Sequence, residues 1–81
     1  MNSKKKFLKM IKPGLYIHSK SGKQYRVIGT AKHSETLEEY IVYEAQYDNE
    51  LSKLWIRPIS MWEEKVEVNG QLVKRFEYIE E

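Results

Sequence analysis

The sequence predicts a mostly β, antiparallel fold, and three observations carry that prediction. From Leu15 onward, side chains alternate with a period of two rather than 3.6. Tyr40-Ile41-Val42-Tyr43 is β-branched and aromatic, which favours extended backbone. Asn69-Gly70 lies between two strand-like runs, the strongest short-range hairpin signal.

A chain of 81 residues makes one domain, divided here into a basic leader over 1–12 and a single β domain over 13–81. A chain this short buries a limited share of its surface, so its stability is modest. It has no cysteine, which excludes disulfides, thiolate metal sites and a cysteine nucleophile, and fits a reducing cytoplasm. Six Tyr, two Trp and two Phe therefore have to supply much of the core.

The leader comes first. Ser3 can cap one or two helical turns with Phe7, Leu8 and Ile11 on one side, and Pro13-Gly14 ends any such helix. An isolated helix this short is marginal in water. The expectation is a short helix docked by its apolar side, or disorder. The apolar stretch from Phe7 to Ile11 is interrupted by Lys9 and too short for a secretory signal. No stretch approaches the ~20 apolar residues of a spanning helix.

The strands follow. Leu15 and Ile17 share one face, Tyr16 and His18 the other. Lys20-Ser21-Gly22-Lys23 is a turn. Tyr25, Val27, Gly29 and Ala31 then alternate with Arg26, Ile28 and Thr30, and Gly29 signals a bulge or a close backbone approach. Thr36-Leu37-Glu38-Glu39 has the form of a capping box, so one helical turn at most is expected before a strand over 39–47. Asp48-Asn49-Glu50 turns the chain into a short strand, Leu54 to Pro58. Pro58 ends it or places it at an edge. A turn of helix within 59–64 precedes the Asn-Gly hairpin. Five or six short strands result. A sheet this small has to curl to cover its core, which predicts a small SH3-like roll or barrel.

Charge is distributed unevenly. Residues 1–33 carry nine Lys/Arg and no Asp or Glu, whereas 34–81 carry five Lys/Arg and twelve Asp/Glu. Without the first twelve residues the body holds nine basic and twelve acidic groups, a net −3. The overall +2 is thus a property of the leader, and it does not make the domain a nucleic-acid binder.

Gly14-Leu15-Tyr16-Ile17-His18, then the run from Tyr25 through His33-Ser34-Glu35-Thr36, then Val42-Tyr43, Trp55-Ile56-Arg57-Pro58, Met61 and Arg75-Phe76 form an ordered series. This series resembles the bacterial family known as domain of unknown function 1653, over about residues 13–79. The resemblance implies an SH3-like β roll and assigns no activity. Small departures occur: Ile56 where Val is usual, Trp62 beside Met61 where Phe is usual, and Lys74 where Pro is common.

Several constellations bear on function. His33-Ser34-Glu35 contains a base, a hydroxyl and an acid, but adjacent residues on a turn rarely line up as a triad. The plainer reading is a loop held by its own backbone hydrogen bonds. His18, His33 and Glu35 lack the spacing of a metal module, so no metal, cofactor or catalytic residue is assigned. Trp55 and Arg57 point the same way from one strand. With His33, Ser34, Glu35, Thr36, Tyr16 and His18 they form the candidate site for a small anionic ligand or a peptide carboxylate. Within it, Arg57 supplies charge and Trp55 a stacking wall. The alternative for Arg57 is an internal pair with Glu35. A second class, nucleic-acid binding, uses Lys4, Lys5, Lys6, Lys9, Lys12 and Arg26 as phosphate contacts. No membrane partner is expected.

Overall fold

The computed structural model describes residues 11–81. The leader helix expected around Ser3, and Lys4, Lys5, Lys6 and Lys9 with it, lie outside the described residues.

Seven strands and one short helix follow in order: β1 (Gly14–His18), β2 (Gln24–Lys32), β3 (Glu39–Ala45), β4 (Leu54–Pro58), α1 (Ile59–Trp62), β5 (Lys65–Val68), β6 (Gln71–Lys74) and β7 (Phe76–Glu80). Five strands form one antiparallel sheet in the order β4-β3-β2-β1-β7, and β5 and β6 form a separate hairpin. The fold is mostly β, as the two-residue period predicts. The sheet curls without closing, so of the two forms expected, roll or barrel, it is the open roll.

The period-two runs become strands because each has one face to bury. Gly29 marks a register shift between Val27 and Gly29, where Ile28 is extruded from the β2–β3 ladder. The Asn69-Gly70 turn has φ of 52° and 81°, the double positive pattern of a tight hairpin. The expected strand over 39–47 stops at Ala45. The capping-box form at Thr36 yields a turn instead of a helix, and Leu37 takes a left-handed φ of 66°.

The strand count is higher than expected because the final run breaks at Arg75. There the Arg75 N–H donates to Glu64 O, and Ser19 N–H donates to Arg75 O. The chain thereby leaves the hairpin and returns beside β1, so that Tyr16 faces Tyr78 and His18 faces Phe76. Gly14 makes this closure possible. Its φ is +139°, and a Cβ there would lie 2.7 Å from Glu80 O.

The core is aromatic. Tyr16, Val27, Ile41, Tyr43, Ala45, Trp62 and Phe76 are buried. All but Ala45 form one cluster, with Ile11, Tyr25, Trp55 and Ile59 packed against it. Rings meet mostly edge to face, as Tyr43 does with Trp62 at 5.0 Å and Tyr25 with Tyr43 at 5.4 Å. The four-residue α1 matters because it carries Trp62 over the inner face of the sheet.

The edge at β4 is blunted in two ways. Pro58 has no N–H to offer, and the Leu54 carbonyl accepts the Ser52 hydroxyl at 2.7 Å. Among the described residues no helix is long and apolar enough to cross a membrane.

Candidate functional site

Cross-strand partners share a face. Trp55 lies opposite Tyr43 and Arg57 opposite Ile41, and both partners are buried. The two side chains therefore project onto the inner face, at the rim of the aromatic core. They line a cavity of about 530 Å³ with Tyr25, Tyr43, Tyr47 and Lys23. The turn over 48–51 closes one side.

Each wall is held in place. The Trp55 indole N–H donates to Ser52 O at 3.0 Å. Tyr25 and Tyr47 share a hydroxyl–hydroxyl bond of 2.8 Å, and their rings meet at 81°. Burial and the neighbouring Tyr47 push the Tyr25 hydroxyl well above its ordinary value, so it stays protonated. Lys23 Nζ sits 4.6 Å from the centroid of the Tyr47 ring.

Arg57 is half-buried at the inner end. Its Nε donates to Tyr43 Oη at 3.4 Å, a long bond. Its guanidinium carbon lies 5.6 Å from the centroid of Phe76. Among the described residues Arg57 has no carboxylate partner. Arg75 does: its Nη2 lies 2.9 Å from Glu64 Oε1. The pairing of Arg57 with Glu35 weighed from sequence is not formed.

The structure does not bring all the sequence-derived residues to one place. His33 lies at the far end of the β2–β3 hairpin, one step beyond the Lys32–Glu39 pair. Its Nδ1 accepts the N–H groups of Glu35 and Thr36 at 3.1 and 3.3 Å. Thr36 Oγ1 accepts the Glu38 N–H at 3.2 Å. His33 N–H donates to Glu38 O, and Leu37 N–H to His33 O, which closes the loop. This loop, with Ser34 and Glu35 exposed on it, does not line the Arg57 cavity.

His18 sits nearer. Its ring meets Phe76 edge-on at 5.0 Å, and its Nδ1 accepts the Ser21 N–H at 3.2 Å. Burial holds its pKa below the ordinary value, helped by the charges of Arg75, Arg57 and Lys20. Tyr16 is in the core and faces a different cavity, its hydroxyl donating to Lys12 O at 2.9 Å. Of the residues named for nucleic acid, Lys12 covers the Tyr78 ring at 4.3 Å. Arg26 lies on the outer face opposite Leu15 and Glu44. Its Nη1 donates to the main-chain oxygen of Glu81 at 3.1 Å.

Sequence reasoning did not single out Lys23, Tyr25 and Tyr47 for this cavity. The signal for Tyr25 was present, since it shares the Val27 face of its strand. Tyr47 continues the alternation of Ile41, Tyr43 and Ala45 although its strand ends at Ala45, whereas Lys23 reaches the cavity from a turn that no periodicity marks. No group of three or more His, Asp or Glu among the described residues could hold a metal ion.

Fold and cavity together define a small antiparallel β-roll domain with an aromatic, arginine-containing pocket. The chain belongs to the DUF1653 family, described as proteins of unknown function, whose model matches residues 14–78. It is similar to the crystal structure of a protein belonging to DUF1653 from Bordetella bronchiseptica. The identity is 30%, covering 86% of this chain and 88% of that one, with a TM-score of 0.81. No curated protein matches the chain.

Proposed function

We propose that the domain is a non-catalytic binding module, and that the Arg57–Trp55 cavity takes a small anionic ligand or a peptide carboxylate. The observation that carries this reading is the half-buried Arg57 guanidinium, which has no carboxylate partner among the described residues. A half-buried guanidinium keeps only part of its hydration, and its planar fork suits carboxylate and phosphate oxygens. Trp55, Tyr25 and Tyr47 supply flat apolar walls, and Lys23 adds a second positive charge, while Asp48 and Glu50 on the closing turn carry the opposite sign and would limit how large an anion the cavity accepts. The volume lies in the small-molecule range of ~300–1,000 Å³. The His33–Thr36 loop is satisfied by its own backbone and, in this reading, shapes the hairpin without touching the ligand.

The test is a titration with N-acetyl-alanyl-alanine and with inorganic phosphate, read by Trp fluorescence and amide chemical shifts. Saturable shifts at Trp55, Tyr47 and Arg57 are expected, and these should vanish in a folded Arg57→Gln variant. If Arg57→Gln fails to fold, or binds as the parent does, the reading is wrong.

A further inference from the structure

A second cavity lies elsewhere, between the five-stranded sheet and the β5–β6 hairpin. Its volume is about 450 Å³, and it opens beside Tyr16, Trp62 and Tyr78. These rings give it a flat apolar interior, with Tyr16 and Tyr78 meeting edge to face at 5.3 Å.

Its rim is basic. Lys12, Lys65 and Lys74 all line it, against one carboxylate, Glu63. Lys65 and Lys74 are direct cross-strand partners in the hairpin. Like charges placed directly opposite are destabilising, and strands normally avoid them. Among the described residues neither lysine has an ion-pair partner. Glu67, two residues along the same face, lies beyond ion-pair distance of both. Residues 1–10 contain no Asp or Glu that could serve instead. The hairpin thus places two exposed lysines opposite each other on one face, at the rim of an aromatic cavity. Lys12 is fixed nearby over the Tyr78 ring.

We propose that this cavity is a separate ligand site for an organic anion with a flat apolar body, an aromatic carboxylate being the simplest member of the class. The ring system packs against the exposed Tyr78, over the buried Trp62 and Tyr16 that floor the cavity. The carboxylate sits between Lys65 and Lys74 and relieves their mutual repulsion. An inorganic anion alone would leave the aromatic walls unused, and a neutral ring would leave the lysines uncompensated.

The probe is 2-naphthoate, with 2-naphthamide as the uncharged control, titrated into the full chain and followed by amide chemical shifts. Naphthoate should shift Lys65, Lys74, Trp62 and Tyr78 saturably, and bind about tenfold more tightly than the amide. The Lys65→Gln/Lys74→Gln double variant should fold with an unchanged or raised thermal midpoint, because it removes the repulsion. It should also erase the preference for naphthoate over the amide. Arg57→Gln, which alters the other cavity, should leave naphthoate binding intact. The proposal fails if no saturable binding is seen at millimolar concentration, if the double variant keeps the preference, or if Arg57→Gln abolishes binding.

Discussion

Trp62 and Phe76 lie face to face, 3.7 Å between ring centroids and 5° between planes. One ring comes from the only helix among the described residues, and the other from the strand that returns to β1. Both are under 5% exposed. The pair joins the α1 connection to the sheet. Trp62→Ala should therefore cost about 3–5 kcal/mol in a urea denaturation experiment. Trp62→Phe should cost far less, because a flat ring remains. A loss below 1 kcal/mol for the alanine variant would show that the stack contributes little.

Gly14 is the second sensitive point. Its backbone conformation is one that L side chains rarely adopt, and an added Cβ would meet Glu80 O. Gly14→Ala is expected to lower stability by roughly 2 kcal/mol or more. The matched change Gly29→Ala has open space and no positive φ, so it should shift the midpoint much less. Equal effects at the two positions would contradict this account.

The His33 loop makes a third prediction. His33 Nδ1 is the acceptor for two main-chain N–H groups. His33→Ala removes that acceptor and should cost about 1 kcal/mol. His33→Asp supplies a carboxylate oxygen in a comparable place and should recover most of the loss. Because the loop is exposed, hydrogen exchange at Glu35 and Thr36 is the sharper measurement: it should accelerate in the alanine variant alone.

His18 predicts how stability changes with pH. Its pKa in the folded chain lies below the ordinary 6.5, mainly through burial and then through Arg75, Arg57 and Lys20. Between the two values the unfolded chain binds more protons than the folded one. This contribution is intact above pH 6.5 and is lost progressively as the pH falls toward the folded value. Protonation of Nδ1 would also remove the acceptor for the Ser21 N–H. Denaturation midpoints measured from about pH 7.5 down to about pH 5.5 should fall in the parent chain and fall less in His18→Gln. Parallel curves would show that another group is responsible.

Much of the fold is written in local features of the chain. The two-residue period from Leu15, the bulge at Gly29, the Asn69-Gly70 turn and the edge character of Pro58 are local properties, set by side-chain alternation and by what glycine and proline permit. The break at Arg75 could not be read this way. The run from Leu72 to Ile79 looks continuous because the same alternation suits both β6 and β7. Only the hydrogen bonds of Arg75 with Glu64 and Ser19, distant in sequence, divide it. Leu37 is similar: its surroundings spell a capping box, yet closure of the hairpin by His33 and Glu38 imposes a left-handed backbone there.

The candidate site shows the same division. Alternation within one strand puts Trp55 and Arg57 on the same side, so their shared face is legible from local pattern alone. Whether Arg57 meets Glu35, an aromatic wall or open space depended on how β4 registers against β3 and where the 46–51 turn folds back. That is a matter of three-dimensional packing, which decided for the tyrosines and left the guanidinium without an acid. The physical reason is range: backbone preference acts over a few residues, whereas the partner of a half-buried charge is chosen by whichever strands the core draws together.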